Sequence, residues 1–198
     1  MQGTRAGCEP AGRFLVAAAV GDRWRLTSGW SRVENKSQQG RKNLMIELKT
    51  PREIEEMKPA GRFVGGILRD LKEFTKVGTN LLEIDEFVHK RIVDRKGAES
   101  CYVDYAPDFG TGPFAHYICV SVNDAVLHGV PFDYNLKDGD LVSLDLAINV
   151  DGWVADSAIS FVVGEHKDPE DLRLIKCTEE ALAAGIAAAQ PGNRLGRV

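Results

Sequence analysis

The chain lacks most of the devices that would place it outside a cell or in a bilayer. Its four cysteines, Cys8, Cys101, Cys119 and Cys177, are scattered with no C-x-x-C spacing, which excludes a disulfide scaffold and a thiolate zinc knuckle. The one apolar run near the start, Phe14 to Val20, is too short to span a membrane and is followed by no clear small-residue cleavage site. There is no H-E-x-x-H helix among the four histidines, His89, His116, His128 and His166, so a helical zinc-peptidase motif is absent. The expectation is a cytoplasmic protein in a reducing compartment.

Charge divides the chain. Residues 1–44 carry eight basic and three acidic residues, whereas the remainder carries seventeen basic and twenty-six acidic ones, for an overall net charge of −4. The change of sign and the absence of a periodic apolar face before Met45 predict a disordered or non-native leader over 1–44 and a folded unit over 45–198. The acidic balance of that unit and its lack of a basic stripe argue against a specific nucleic-acid partner.

What is present is a pair of carboxylates in an apolar hairpin. Leu141 to Phe161 reads as two strands joined at Asp151-Gly152, a dipeptide that tolerates positive φ and so favours a two-residue turn. That turn pairs Val150 with Trp153 and sets Ala147 opposite Asp156, with Asp145 as the diagonal neighbour of Asp156. One face then carries Asp145, Ala147, Asn149, Asp156, Ala158 and Ser160; the other carries Leu144, Leu146, Ile148, Ala155, Ile159 and Phe161. Two same-face carboxylates about 7 Å apart or less repel unless a cation lies between them, and oxygen pairs of this kind suit divalent metals. Solvated carboxylates on an exposed strand face are the alternative. Upstream, Ile118 to Pro131 places His128 at the end of an apolar run; a structural histidine is the simpler reading of that residue alone.

The helices announce themselves. Thr50-Pro51-Arg52-Glu53 is a capping box with proline at the first helical position. Ile54, Met57, Val64, Ile67, Leu68 and Leu71 keep a helical period, which Pro59 should kink early. A second helix is predicted over Leu81 to Lys96, with Gly78 and Gly97 as helix caps, and a third from Pro169 to about Ala189 with Asp168 as N-cap. Being rich in alanine, the third should pack closely on a sheet. Val77-Gly78-Thr79-Asn80-Leu81-Leu82-Glu83-Ile84 is echoed by Pro191-Gly192-Asn193-Arg194-Leu195-Gly196-Arg197-Val198, a weak repeat consistent with a duplicated architecture.

NDAVLHGVP followed by DGDLVSLDLAINVDGWVADSA resembles the type I methionine aminopeptidases of the pita-bread metallopeptidase family, in particular the actinobacterial form, over about Met45 to Leu195. The resemblance implies an α+β pita-bread (creatinase/aminopeptidase-like) fold, of which this chain holds the N-terminal half plus the first helix of the second half. It implies removal of the initiator methionine from nascent peptides by hydroxide activated at two divalent ions, of cobalt, manganese, iron, zinc or nickel. Asp145 would chelate one ion, Asp156 would bridge both, and His128 would contact substrate at the scissile amide. Cys101, Tyr105 and Cys119 fall in the region lining the methionine pocket, next to an insertion at Ala106 to His116. Ala147 stands where many members have threonine. One histidine and two glutamates that complete the family's site have no counterpart, so the chain reads as truncated at its C-terminus. The implied partners are nascent N-termini beginning with Met, with ribosome proximity, a monomeric state and no membrane. Competing readings are an inactive fragment, a non-catalytic binding protein of the same fold, and an Xaa-Pro aminopeptidase. The last usually carries a large N-terminal domain that 44 residues cannot supply.

Removing residues 1–44 should leave the melting temperature of the folded unit within about 3 °C of the full chain, since the arm has no apolar face to bury. A clear drop for a chain starting at Met45 would make the arm part of the core.

Overall fold

The helix starts are set by their caps. In the computed structural model, which describes residues 48–106, 112–165 and 168–198, helix α1 (Pro51–Phe74) opens with a reciprocal capping box. The Thr50 amide donates to Glu53 Oε2 at 2.8 Å and the Glu53 amide to Thr50 Oγ1 at 3.3 Å, satisfying two of the orphan donors of the first turn. Helix α2 (Leu81–Val93) repeats the device with Asn80 and Glu83. The arm over 1–44, the boundary at Met45, Cys8, His166 and part of the Ala106–His116 insertion lie outside the described residues.

The buried stripe of α1 is Met57, Ala60, Val64, Ile67, Leu68 and Leu71, spaced three and four apart as one helix face requires. Ile54, expected in that stripe, is 47% exposed. The helix runs through Pro59 without interruption. Helix α2 ends at Val93 with Asp94 as its cap, three residues short of Lys96. Gly78 and Gly97 are not the caps: they stand beyond the capping residues Thr75 and Asp94, at φ +89° and +82°, where they turn the chain into the next element.

The sheet is antiparallel and centred on β3 (Leu141–Val150), with four strands among the described residues. Strand β4 (Trp153–Val162) pairs with it over ten rungs, from Leu141 with Val162 to Val150 with Trp153. The other edge of β3 is shared end to end by β1 (Ala98–Ser100), at Ile148 to Val150, and β2 (Cys119–Val122), at Val142 to Asp145. Leu144, Leu146, Ile148, Val142 and Val150 bury one face of β3 against α1 and α2. Each fully buried aliphatic side chain contributes about 1.5–3 kcal/mol. Helix α3 (Pro169–Ala188) meets the sheet along β4 but buries none of its side chains. Close packing is not reached: Leu172, Leu182 and Ile186 share one helix face, yet they and Leu174 are all exposed.

The sequence echo is also a structural one. Gly78 and Gly192 have φ of +89° and +88°; Asn80 and Arg194, which open the following turns, have φ/ψ of −81°/142° and −82°/142°. The Thr79 amide donates to the Lys76 carbonyl at 3.0 Å and the Asn193 amide to the Gln190 carbonyl at 3.1 Å. The exits of α1 and α3 are therefore the same turn.

Just ahead of β3, Asp140 is buried and accepts from Asn123 Nδ2 at 3.0 Å, Tyr134 Oη at 2.9 Å and the Lys137 amide at 2.8 Å. Burial is the largest single influence and pushes its pKa up, but the three donors outweigh it and hold the carboxyl below its ordinary 3.8. A depressed folded-state pKa stabilises the fold above the unfolded-state value, and that contribution disappears as pH falls through the folded value. Asp140→Asn should lower stability at pH 7 by about 1–3 kcal/mol. The deficit should shrink as urea unfolding is repeated from about pH 4 downward.

Candidate metal centre

The hairpin register decides what faces the site. Ala147 pairs with Asp156 and Asp145 with Ala158, while Cys119 of β2 lies opposite Asp145 on its other side. Cys119, Asp145 and Ala158 thus form one row across the sheet, and Asp156 sits on the neighbouring rung of the same face. Asn149, also on that face, is buried and accepts from the Gly152 amide at 2.9 Å, closing the turn.

The two carboxylates are half-buried and interact directly. Burial, then the Asp145 charge and a hydrogen bond between the two, push Asp156 up to about 6. Asp145 is also raised, chiefly by burial; the Tyr102 hydroxyl, Asp156 and the charge of His128 oppose that rise. A cation would relieve this repulsion and desolvation together, which is the electrostatic signature of a pair suited to a divalent ion. The donors are hard oxygens, and they fit such an ion as part of a coordination sphere. Among the described residues no group of three or more His, Cys, Asp and Glu side chains converges to form a complete one.

His128 belongs to a loop folded back along β2. The Val120 amide donates to the Gly129 carbonyl at 2.9 Å and the Gly129 amide to Ser121 Oγ at 3.1 Å. A Cβ on Gly129 would lie 2.2 Å from the Val120 carbonyl oxygen, so only glycine lets the loop come this close. The other end is held by Asn123, at φ +55°, whose side chain bridges Asp140 and the Leu141 amide. His128 itself is exposed at φ +54° and near enough to Asp145 for its charge to act there. A non-glycine residue in that region carries strain of about 1–3 kcal/mol, tolerated here where the ring is offered beside the carboxylates.

Cys101 and Cys119 line the same wall. Burial, with the nearby carboxylates adding to it, pushes the Cys101 thiol up to about 11 and the Cys119 thiol up to about 12. Both stay protonated near neutrality, so neither is poised as a nucleophile or a thiolate ligand. Tyr105 is set apart from this group: it is 54% exposed and tied in by its main chain. The residue that reaches Asp145 is Tyr102, whose hydroxyl donates to Asp145 Oδ1 at 3.3 Å. Burial first, then the charges of Asp145 and Asp156, raise its phenol far above the ordinary value. Sequence reasoning missed it because side chains in a turn do not alternate as they do in a strand; its position beside Cys101 was the only signal.

The family model for metallopeptidase family M24 matches residues 55–198. "Methionine aminopeptidase 1" of Bacillus subtilis is 39% identical over 155 residues, covering 78% of this chain and 59% of that protein. The crystal structure of methionine aminopeptidase from Thermotoga maritima superposes with a TM-score of 0.66 at 33% identity, covering 77% of this chain and 58% of that one. Prolidase from Pyrococcus furiosus shares the fold at 22% identity, with a TM-score of 0.58 over 73% of this chain and 39% of its own. The chain belongs to metallopeptidase family M24, with its mixed helix and sheet in the pita-bread fold. It spans about three fifths of the length of its Bacillus subtilis relative.

A carboxyl whose folded pKa is raised favours folding when protonated and opposes it when ionised. Asp156→Asn should therefore stabilise the metal-free chain above pH 6, by about 1 kcal/mol or more. The gain should vanish as pH falls below about 4, where the unfolded-state aspartate also protonates. Urea unfolding in a chelating buffer at both ends of this range measures it; a neutral-pH loss would contradict the repulsion.

Proposed function

We propose, from membership of this metallopeptidase family, that the chain carries the two-aspartate wall of a methionine aminopeptidase of type I. In this reading it belongs to a cytoplasmic, monomeric enzyme that meets nascent N-termini close to the ribosome. The observation that carries the reading is the juxtaposition of Asp145 and Asp156 on adjacent rungs of one face, with His128 presented beside them on a glycine-pinned loop. The relatives named methionine aminopeptidase support it, and this chain spans 59% of the Bacillus subtilis one.

Asp145 and Asp156 would hold the divalent ions, Asp156 between two of them. Such ions supply Lewis-acid polarisation of a peptide carbonyl and acidification of water. The chain's own residues do the rest of what is assigned to it. His128, exposed on its loop, would hold the amide of the bond to be cut. Cys101 and Cys119 would present uncharged thiols to a thioether side chain, an apolar and polarisable match; Tyr105, assigned to the same pocket by the resemblance, stands apart from them at 54% exposed. The missing histidine and glutamates would come from the second part of the family domain.

Two expectations separate this from a binding or inert protein. By itself the chain should take up divalent metal weakly, since two carboxylates make an under-ligated site; tight two-ion binding of cobalt or manganese in calorimetry would sink that view. Joined after Leu195 to the second part of the Bacillus subtilis relative, it should cleave Met-Ala and Met-Gly peptides and spare those with a bulky second residue. In that chimera Asp156→Asn should lower turnover by about a hundredfold or more. His128→Ala should lower it by about a hundredfold with metal content unchanged. Loss of metal from His128→Ala, or near-normal turnover by Asp156→Asn, would overturn the roles assigned here.

A further inference from the structure

We propose that Tyr102 is a positioning residue of the metal centre, its hydroxyl fixing the Asp145 carboxylate while the segment Phe114 to Tyr117 braces its ring from helix α2. The inference rests on Asp145 being a metal ligand. Its basis is a continuous set of contacts that no part of the proposed reaction has yet used.

The hydroxyl of Tyr102 donates to Asp145 Oδ1 at 3.3 Å. A carboxylate accepts at two oxygens, so one donor on Oδ1 leaves Oδ2 available and fixes the rotation of the group about its last bond. The main chain beneath is anchored as well: the Tyr102 and Val103 amides donate to Ser100 Oγ at 3.1 and 3.4 Å. Ser100 ends β1 and pairs with Ile148 of β3. The turn bearing Tyr102 is therefore fastened to the strand that carries Asp145.

The ring is held from the other side. Phe114 meets it edge-on, with centroids 5.9 Å apart at 76°, and meets His116 in the same way at 5.9 Å and 74°. His116 Nδ1 lies 2.9 Å from Asp85 Oδ2, and the Tyr117 amide donates to Asp85 Oδ1 at 2.7 Å. Asp85 stands in α2, whose buried face is part of the core. Two main-chain bonds tie the segment back onto the turn, from the Phe114 amide to the Tyr105 carbonyl at 2.8 Å and from the Ala115 amide to the Val103 carbonyl at 3.1 Å. The chain thus has a mechanical path from a core helix through Asp85, His116, Phe114 and Tyr102 to the carboxylate. Partners that orient a ligand in this way typically change metal affinity 10–100-fold (about one to two decades) when removed, whereas a ring that merely fills space would not.

The test is a cobalt(II) titration of the full 198-residue chain, read by calorimetry and by the visible absorption of the bound ion. Tyr102→Phe keeps the ring and removes only the donor. Its melting temperature without metal should fall by no more than about 4 °C, while cobalt affinity should drop about 10–100-fold with a shifted absorption band. Phe114→Leu should fold and give a weaker loss in the same direction, with the same band shift. Asp145→Asn is the control and should abolish binding. If Asp145→Asn abolishes binding while Tyr102→Phe and Phe114→Leu keep wild-type affinity and spectrum, the positioning role is wrong and the metal centre stands. If Asp145→Asn binds cobalt as the wild type does, the metal reading itself falls.

Discussion

The ten-rung pairing of β3 with β4 around Asp151-Gly152 is the constraint on which the rest of the molecule depends. Strand side chains alternate between faces, so a slip of one residue would carry Asp145 and Asp156 into the core and Leu144, Leu146 and Ile148 out of it. The turn residues, at φ +53° and +89°, supply the twist that a two-residue hairpin needs. The tip is clamped from a second direction: the Asp151 amide donates to the Gly97 carbonyl at 2.8 Å, and a Cβ on Gly97 would strike Asp151 Oδ1. Helix α2, β1 and the hairpin are thereby locked in one register before any functional group is placed.

Given that register, the polar face sets a cost against a use. Two half-buried carboxylates, two protonated thiols and a half-buried phenol make a wall whose stability suffers from its own charge. The apolar face opposite, packed under α1, offsets that cost. Asp140 behaves in the opposite sense: fully provided with donors, it stabilises the loop that brings His128 alongside. Two aspartates five positions apart thus end on opposite sides of the ordinary value: hydrogen-bond donors outweigh burial at Asp140, and burial outweighs them at Asp145.

The surfaces around the wall are unequal. Helix α1 covers the sheet with a full apolar stripe, whereas α3, entered by its own Asp168 cap and left by the same turn as α1, stays largely exposed. Val126, Leu127, Val130 and Phe132, which neighbour His128 in the chain, are exposed. The chain spans about three fifths of its Bacillus subtilis relative.

Local chemistry made much of this legible in advance. The Asp151-Gly152 turn, the capping box at Thr50 and the Asp168 cap each depend on residues within a few positions of one another and stand in the structure as the sequence alone determined them, while the alternation of β3 in burial holds from Leu141 to Leu146, beyond which both faces are buried. The pairing of Ala147 with Asp156 followed from turn length alone. Tertiary structure decided what local pattern could not carry. Tyr102, not Tyr105, reaches Asp145, because a turn has no fixed side-chain period; Gly129 is required by a backbone approach from β2 that no spacing reveals. The His116–Asp85 brace joins residues 31 positions apart, and α3 stays uncovered although its composition is that of a packing helix. These features arise from contacts between distant segments, whose geometry is set by the packing of α1, α2 and the sheet and is written in no single stretch of residues.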